Sequence, residues 1–415
     1  MDPPTARKRP RLARRLERGL KSSTLPLAAR LLARAGPPDA GPDPIDGRRL
    51  LVVRSDRRLG NLVLLTPFLR RLRQAAPRAR IGLLCAESYA PLVAGWPWID
   101  ELHVQEQRRQ ARAPWSLFPW IARVRAARWD LAWVASNPET HSYSHCLLAL
   151  ASGAGERVGF DDPRNRPALT RAVPPPPATL PASLAPLALL RARGLTALAC
   201  EPVCPLATPP SPFLETWRRR EGAGPDSIVV HPGGRGGKAW PGDAWAGLVR
   251  RAPAAMRARL LLVGGAEDQE LLLRLRAAAG EPPLRLAPGL SVTDLAHLLR
   301  EASAFIGCDQ GVTHLAVALG TPVVALFFQS DPYRYAPLGP RHRTVLLADP
   351  RGVDDELWNR PVEGIPRSLL RRATASAARS RAGIPATDGR AVEVVWQALD
   401  EVLSLAEPSA HGGRP

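Results

Sequence analysis

Three short segments carry residue types that could do chemistry. The run Gly307-Cys308-Asp309-Gln310-Gly311-Val312-Thr313-His314 lies between an apolar β-type stretch at 304–306 and a helical one that begins at Leu315. A glycine at such a junction lets a ligand approach the backbone closely, and free amides at a helix start suit a diphosphate. Asp309 can accept sugar or ribose hydroxyls, and His314, in the first turn, can fix the loop or touch a phosphate. The same residues also read as an ordinary helix cap, with Asp309 capping and His314 packed. The second segment, His231–Pro241, sets four glycines with Arg235 and Lys238 just after a strand. Such a flexible cationic loop can neutralise the charge that builds on a departing diphosphate. It lacks a Gly-Lys-Ser/Thr ending, so it is not a Walker-type phosphate loop, and a Gly-rich surface turn is the plain alternative. In the third segment, Arg54–Pro67, Gly60 precedes a helix start, a weak signal without the other two.

The composition singles out one of these residues. The chain has 415 residues, with 57 Lys+Arg against 38 Asp+Glu and a formal net charge of +19. Only Lys8, Lys21 and Lys238 are lysines, so 57 − 3 = 54 basic residues are arginine. Where a generic positive charge is written as arginine, the lone lysine beyond the N-terminal arm hints at chemistry, because ammonium and guanidinium are not interchangeable. Chance survival at a surface position is the competing reading.

Basic patches bind nucleic acid, anionic membranes or phosphorylated substrates alike. No zinc-finger spacing, aromatic-interleaved basic strand or recognition-helix signature is present, so no nucleic-acid partner is expected. Cys200 and Cys204 form an isolated pair with no second pair at zinc spacing. His141, His145 and Cys146 have loose metal-ligand spacing but read equally as a satisfied cluster on one helix face. No metal or cofactor is expected. Five scattered cysteines are too few for a disulfide framework, so a reducing cytoplasm is the expected setting. No stretch approaches the ~18 apolar residues of a membrane-spanning helix. Arg14, Arg15, Glu17 and Arg18 interrupt any signal-peptide core.

The elements that must position these residues alternate between strand and helix, which predicts an α/β fold with parallel sheets. Residues 1–48 form a basic arm, either an amphipathic helix on an anionic membrane surface or a solvated extension. A first unit covers 49–210, with strands at 50–53, 81–85, 99–104 and 131–135 and one helix over 62–72 that tolerates Pro67 in an early turn. A linker is expected over 211–226 and a second unit over 227–349. An irregular Arg-rich insertion follows at 350–385, then a C-terminal amphipathic helix and tail at 386–415. Two doubly wound units joined by a linker make a cleft, and ligands sit at the carboxyl ends of strands, where all three segments lie.

Together the segments resemble glycosyltransferase family 9, the family of ADP-heptose:lipopolysaccharide heptosyltransferases. Val53–Pro67 looks like its opening motif, and Arg157-Val158-Gly159-Phe160 is similar to a motif of its first domain. His231–Pro241 resembles its lysine-bearing loop. Asp309–Ala316, followed by Gly320–Phe327, is similar to its most specific signature, and Ser330-Asp331-Pro332 also fits. The likeness runs from about residue 49 to 345. It implies a GT-B fold, two Rossmann-like domains facing a central cleft, with the acceptor on the first domain and a nucleotide-sugar on the second. It also implies that the final helix packs back towards the first domain. The implied reaction is an inverting, metal-independent transfer from a donor such as ADP-heptose to a phosphorylated, lipid-linked glycan, in the cytoplasm and peripheral on the inner membrane. By the resemblance, Lys238 contacts the diphosphate and Asp309 holds the donor sugar; Arg235, in the same cationic loop as Lys238, is counted with the donor-binding residues. Gln310, Gly311 and Thr313 line the phosphate loop beside His314, while Arg54, Gly60 and Thr66 lie on the acceptor side. One position departs from the family. Asn61 stands where an aspartate is the presumed base, and a neutral amide cannot take the acceptor proton. Three readings stay open: Asp56, Glu139 or His141 stands in as base, Asn61 only orients a slow reaction, or the protein binds without catalysing.

Overall fold

The computed structural model describes residues 45–139, 141–234, 238–281, 283–287, 289–327, 330–347 and 389–406. Most of the basic arm, the insertion at 350–385 and the tail after 406 lie outside the described residues, as does Arg235.

The alternating pattern resolves into two six-stranded sheets. The first contains β1 (Arg49–Arg54), β2 (Arg80–Ala86), β3 (Glu101–Gln105), β4 (Leu131–Val134), β5 (Glu156–Phe160) and β6 (Arg171–Val173), in the order β3-β2-β1-β4-β5-β6. The second contains β7 (Ile228–His231), β8 (Leu260–Leu262), β9 (Arg285–Leu286), β10 (Ala304–Cys308), β11 (Val323–Phe327) and β12 (His342–Leu346), in the order β12-β11-β10-β7-β8-β9. Every pairing is parallel. Numbered within its own half, each sheet has the doubly wound order 3-2-1-4-5-6 of a Rossmann-type fold. β4, β10 and β11 are buried along their whole length. A parallel strand covered on both faces has no solvent side, which is why these runs are apolar without alternation.

In each sheet the order reverses between its first and fourth strands. The loops after β1 and β4, and after β7 and β10, diverge there and open a crevice. All three chemistry-bearing segments fall on these loops.

The helices differ from expectation in three places. The helix read over 62–72 is two helices, α1 (Leu59–Val63) and α2 (Thr66–Ala75). Pro67 has no N–H to offer the carbonyl of Val63, and the Thr66 hydroxyl donates to that carbonyl instead, at 2.8 Å. Downstream, α3 (Gln107–Arg112) and α4 (Leu117–Ala126) follow β3, and α5 (Tyr143–Ala151) follows β4. Most of the expected linker is a helix, α6 (Pro212–Glu221), capped by Ser211 and ended by Gly222 at φ 63°. Ser211 binds Asp294 through its backbone N–H and its hydroxyl, each at 3.0 Å, which fixes the helix to the second unit. Then come α7 (Gly242–Arg250), α8 (Val292–Glu301), α9 (Gly311–Ala318) and α10 (Gly389–Ala406). α10 does not pack on the first unit. Ala391, Val392, Val395, Leu399 and Val402 join the core of β10, β11 and α7 in the second. Its apolar stripe covers the nearer open sheet face.

The two units touch through backbone. A Cβ added at Gly60 in α1 would lie 2.9 Å from His314 Cδ2 and 3.3 Å from Gly311 Cα. One added at Gly311 would lie 2.9 Å from Gly60 N and from Leu59 Cβ. Arg334, almost fully buried, adds a second tie: it donates to Leu180 O at 2.7 Å and pairs with Glu139 at 3.0 Å. Gly311→Ala should lower stability by about 1–3 kcal/mol, the range for overpacking a filled contact. Urea unfolding checks this, and an unchanged midpoint would mean that the units separate freely.

Candidate active site

β1 delivers the first loop by ending in a buried guanidinium. Arg54 donates to Ala135 O and, at 2.8 Å, to Asn137 Oδ1, and it pairs with Asp56 at 2.9 Å. It therefore ties the β1 loop to the β4 loop rather than facing a ligand. Burial pushes Arg54 below its ordinary pKa, and the Asp56 carboxylate opposes this. His145 completes the anchor: its Nε2 accepts from Ser55 N at 3.1 Å and its Nδ1 meets Ser136 Oγ at 2.7 Å. An Nε2 that accepts is unprotonated, so the ring is neutral with its proton on Nδ1. Burial first, then the Arg54 charge, lowers its pKa to about 4, against the pull of Asp56.

Of the acceptor-side residues read from sequence, Gly60 lines the cleft and Thr66 does not. Thr66 is buried, donates to Val63 O and accepts from Val203 N at 3.1 Å, so it is a packing residue. Asn61 lines the cleft and donates its amide to Asp56 Oδ1 at 2.9 Å. A carboxylate therefore sits one hydrogen bond behind a residue that lines the cleft. Glu139 is engaged with Arg334, and His141 with Asn165 at 2.6 Å; neither of them, nor Asp56, is among the residues that line the cleft. Cys146 donates to the same Asn165 oxygen at 3.2 Å. His141, His145 and Cys146 are thus each satisfied by protein partners.

The loops after β7 and β10 meet at Asp309. Its side chain, 3% exposed, takes Lys238 Nζ at 2.5 Å on one oxygen and lies 3.3 Å from His314 Nε2 on the other. Burial alone would raise the Asp309 carboxyl. The His314 hydrogen bond and charge, with those of Lys238, outweigh burial and hold it at about 2. Lys238 is 43% exposed and its Nζ lies 5.1 Å above the Tyr335 ring, so the ammonium is fixed but reachable. The Gln310 amide donates to Gly233 O, which joins the two loops. Thr313 is buried and gives its hydroxyl to Cys308 O, so it holds the strand end instead of lining the phosphate loop. Gly311 opens α9, and no side chain caps that helix start. Uncapped amides at a helix start can receive an anionic group.

These groups line a cleft of about 640 Å³, a size that holds a small organic ligand. Among the further lining residues that sequence reasoning did not assign are His231, Glu267, Asp268 and Tyr335. Asp268 accepts from Gly265 N at 2.9 Å and lies 4.0 Å from His231 Nε2. A Cβ on Gly233 would come within 2.6 Å of Asp268, so that glycine makes room for the carboxylate. The signal was available: Gly264-Gly265 closes a strand, and acids just past such a strand end face the crevice.

Two doubly wound sheets whose switch-point loops converge on one cleft make a GT-B fold. A family model described as glycosyltransferase family 9 (heptosyltransferase) matches residues 125–356, more than half of the chain. The protein belongs to this family and is a glycosyltransferase. Lipopolysaccharide heptosyltransferase 3 of Escherichia coli is 24% identical over 288 residues, 66% of this chain and 81% of that protein. A glycosyl transferase family 9 structure from Veillonella parvula superposes with a TM-score of 0.70 at 20% identity, covering 87% of this chain and 98% of that one. An E. coli heptosyltransferase solved with ADP gives 0.56 at 17% identity, covering 86% and 99%. The family match begins after the Val53–Pro67 segment, so Asn61 lies outside it.

The buried neutral His145 sets a pH dependence. Its folded pKa of about 4 lies below the ordinary 6.5, so between these values the unfolded chain binds a proton that the folded chain does not. Stability is therefore full above about 6.5 and falls as the pH drops towards 4, by up to about 1.4 kcal/mol per unit. His342, also lowered to about 4 by burial and by Arg341 and Arg343, acts in the same direction. Denaturant titrations at pH 5 and 7 check this. His145→Gln should flatten the dependence, and an equal slope in that variant would remove His145 from the account.

Proposed function

We propose that this protein moves a heptose-like sugar from a nucleoside-diphosphate donor, ADP-heptose foremost, to a phosphorylated, lipid-linked glycan such as a lipopolysaccharide core. The observation that carries the donor half is the Lys238–Asp309–His314 cluster beside the uncapped start of α9. Uncapped amides and a fixed ammonium suit a diphosphate, and a buried carboxylate with spare lone pairs suits sugar hydroxyls. The E. coli relative solved with ADP and the lipopolysaccharide heptosyltransferase relative support the same donor and acceptor class.

In the reaction as we read it, the acceptor hydroxyl oxygen attacks the anomeric carbon from the face opposite the diphosphate. The bond from that carbon to the phosphate oxygen breaks with inversion, and the pair of electrons leaves with the diphosphate. Lys238 neutralises the charge that develops there, a role that needs no metal ion. Asp56 takes the acceptor proton. Of the candidate bases it is the one bonded to the side chain of Asn61, which lines the cleft. The rival reading, a protein that binds the donor and does not turn it over, rests on Asn61 itself. The net charge of +19 suits a phosphorylated acceptor and a place at the cytoplasmic face of a membrane. Among the described residues no helix is long and apolar enough to cross one.

Calorimetry with ADP-heptose should show saturable binding that Lys238→Ala weakens at least about tenfold, as expected for loss of a charged contact. Equal binding by the variant would sink the donor-site assignment. In a transfer assay, Asp56→Asn should cut turnover by about 10²–10⁴ with donor binding retained, and Asn61→Asp should raise it. If Asp56→Asn turns over like the wild type, the base lies elsewhere. A wild type that binds donor without turnover, activated by Asn61→Asp, would establish the rival reading.

A further inference from the structure

Trp115 and Phe118 are 70% and 75% exposed, the most exposed large apolar side chains among the described residues. They stand three positions apart, where the single turn Pro114–Ser116 leads into α4. Pro114, Pro119 and Ala122 beside them are exposed too, as are Arg108, Arg109, Arg112 and Arg123. From Gln107 to Trp129 the chain has six arginines and no acidic residue. Two of these arginines reach acids outside the segment: Arg108 lies 3.9 Å from Glu87 and Arg109 3.0 Å from Glu106. Both pairs are partly or fully solvent-facing and leave the basic field largely intact.

The opposite side of the segment is locked to the fold. Trp120 donates to Val104 O at 2.7 Å, and Val124 is buried in the core with Trp129. Gln107 donates to Ser55 O at 2.5 Å, which ties the segment to the loop that bears Asn61. The outward rings are therefore presented by a fixed scaffold at the same sheet end as the cleft.

We infer that Trp115, Phe118 and the arginines around them form a docking surface for an anionic lipid bilayer. Trp and Phe seat at the boundary between headgroups and acyl chains, and arginines on the flanks pair with anionic headgroups. The surface is distinct from the basic arm at 1–48. Its consequence, that a docked enzyme holds its cleft beside a lipid-linked acceptor, rests on the function proposed above; the docking itself does not.

The test uses the full chain and vesicles of phosphatidylcholine, alone or mixed equally with phosphatidylglycerol. The wild type should co-sediment with the mixed vesicles and not with the neutral ones. Trp115→Ser with Phe118→Ser should weaken this about tenfold or more, and Arg112→Gln and Arg123→Gln by about fivefold each. Trp115→Phe should retain binding but lose the part of the tryptophan emission that acyl-brominated lipids quench in the wild type. Unchanged circular dichroism and ADP-heptose binding show that each variant is folded. A double aromatic variant that binds mixed vesicles like the wild type overturns the docking surface, as does quenching that survives Trp115→Phe. Because donor binding is read separately, loss of the donor site and loss of the docking surface give different results.

Discussion

At the centre of the molecule two helix starts meet without side chains between them. Gly60 opens the approach from the first sheet and Gly311 from the second, and a methyl group on either would come within 2.9 Å of the other unit. The contact has two consequences. It sets the distance between the loop after β1 and the loop after β10, and so places Asn61 across the cleft from Asp309. It also leaves the start of α9 open, since glycine brings no side chain to cover its amides. The two walls of the cleft are thus held together by an absence of atoms, and close-packed interiors accommodate an added carbon there poorly.

Around that contact, buried charges are arranged so that each has its partners. Asp309 stands between Lys238 and His314, and Arg54 stands among Asp56, Ala135 and Asn137. A buried charge left unpaired costs several kcal/mol, so these networks fix the loops as firmly as packing does. They also divide the work. The second unit keeps an ammonium partly exposed for a ligand. The first unit spends its arginine on holding two loops together and presents an amide, backed by a carboxylate, to the cleft.

Much of this was legible in the chain. The two parallel sheets, the three loops and the residues Lys238, Asp309 and Gly60 follow from apolar runs that end in glycine and charge, a pattern set by local chemistry. The misreadings share a cause. Pro67 splits a helix because a neighbouring hydroxyl can satisfy the carbonyl it strands. The Arg-rich linker becomes a helix because Ser211 finds Asp294, far away in sequence. Arg54, Thr66 and Thr313 look like ligand-binding residues from their place in motifs, yet their polar groups are engaged by partners inside the protein. His231, Glu267, Asp268 and Tyr335 reach the cleft from elements whose relative placement is not written locally.

The sequence by itself determined the fold class, the order of the strands along the chain and the kinds of group available for chemistry, because these depend on periodicity and residue type. Tertiary structure alone decided which groups face the cleft and which are spent inside the protein. It also decided that α10 covers the second sheet and that Asp56 lies against Asn61. The physical reason is that a polar side chain has the same hydrogen-bonding capacity wherever it sits. Only the folded neighbourhood settles whether that capacity is filled by protein or left for a substrate.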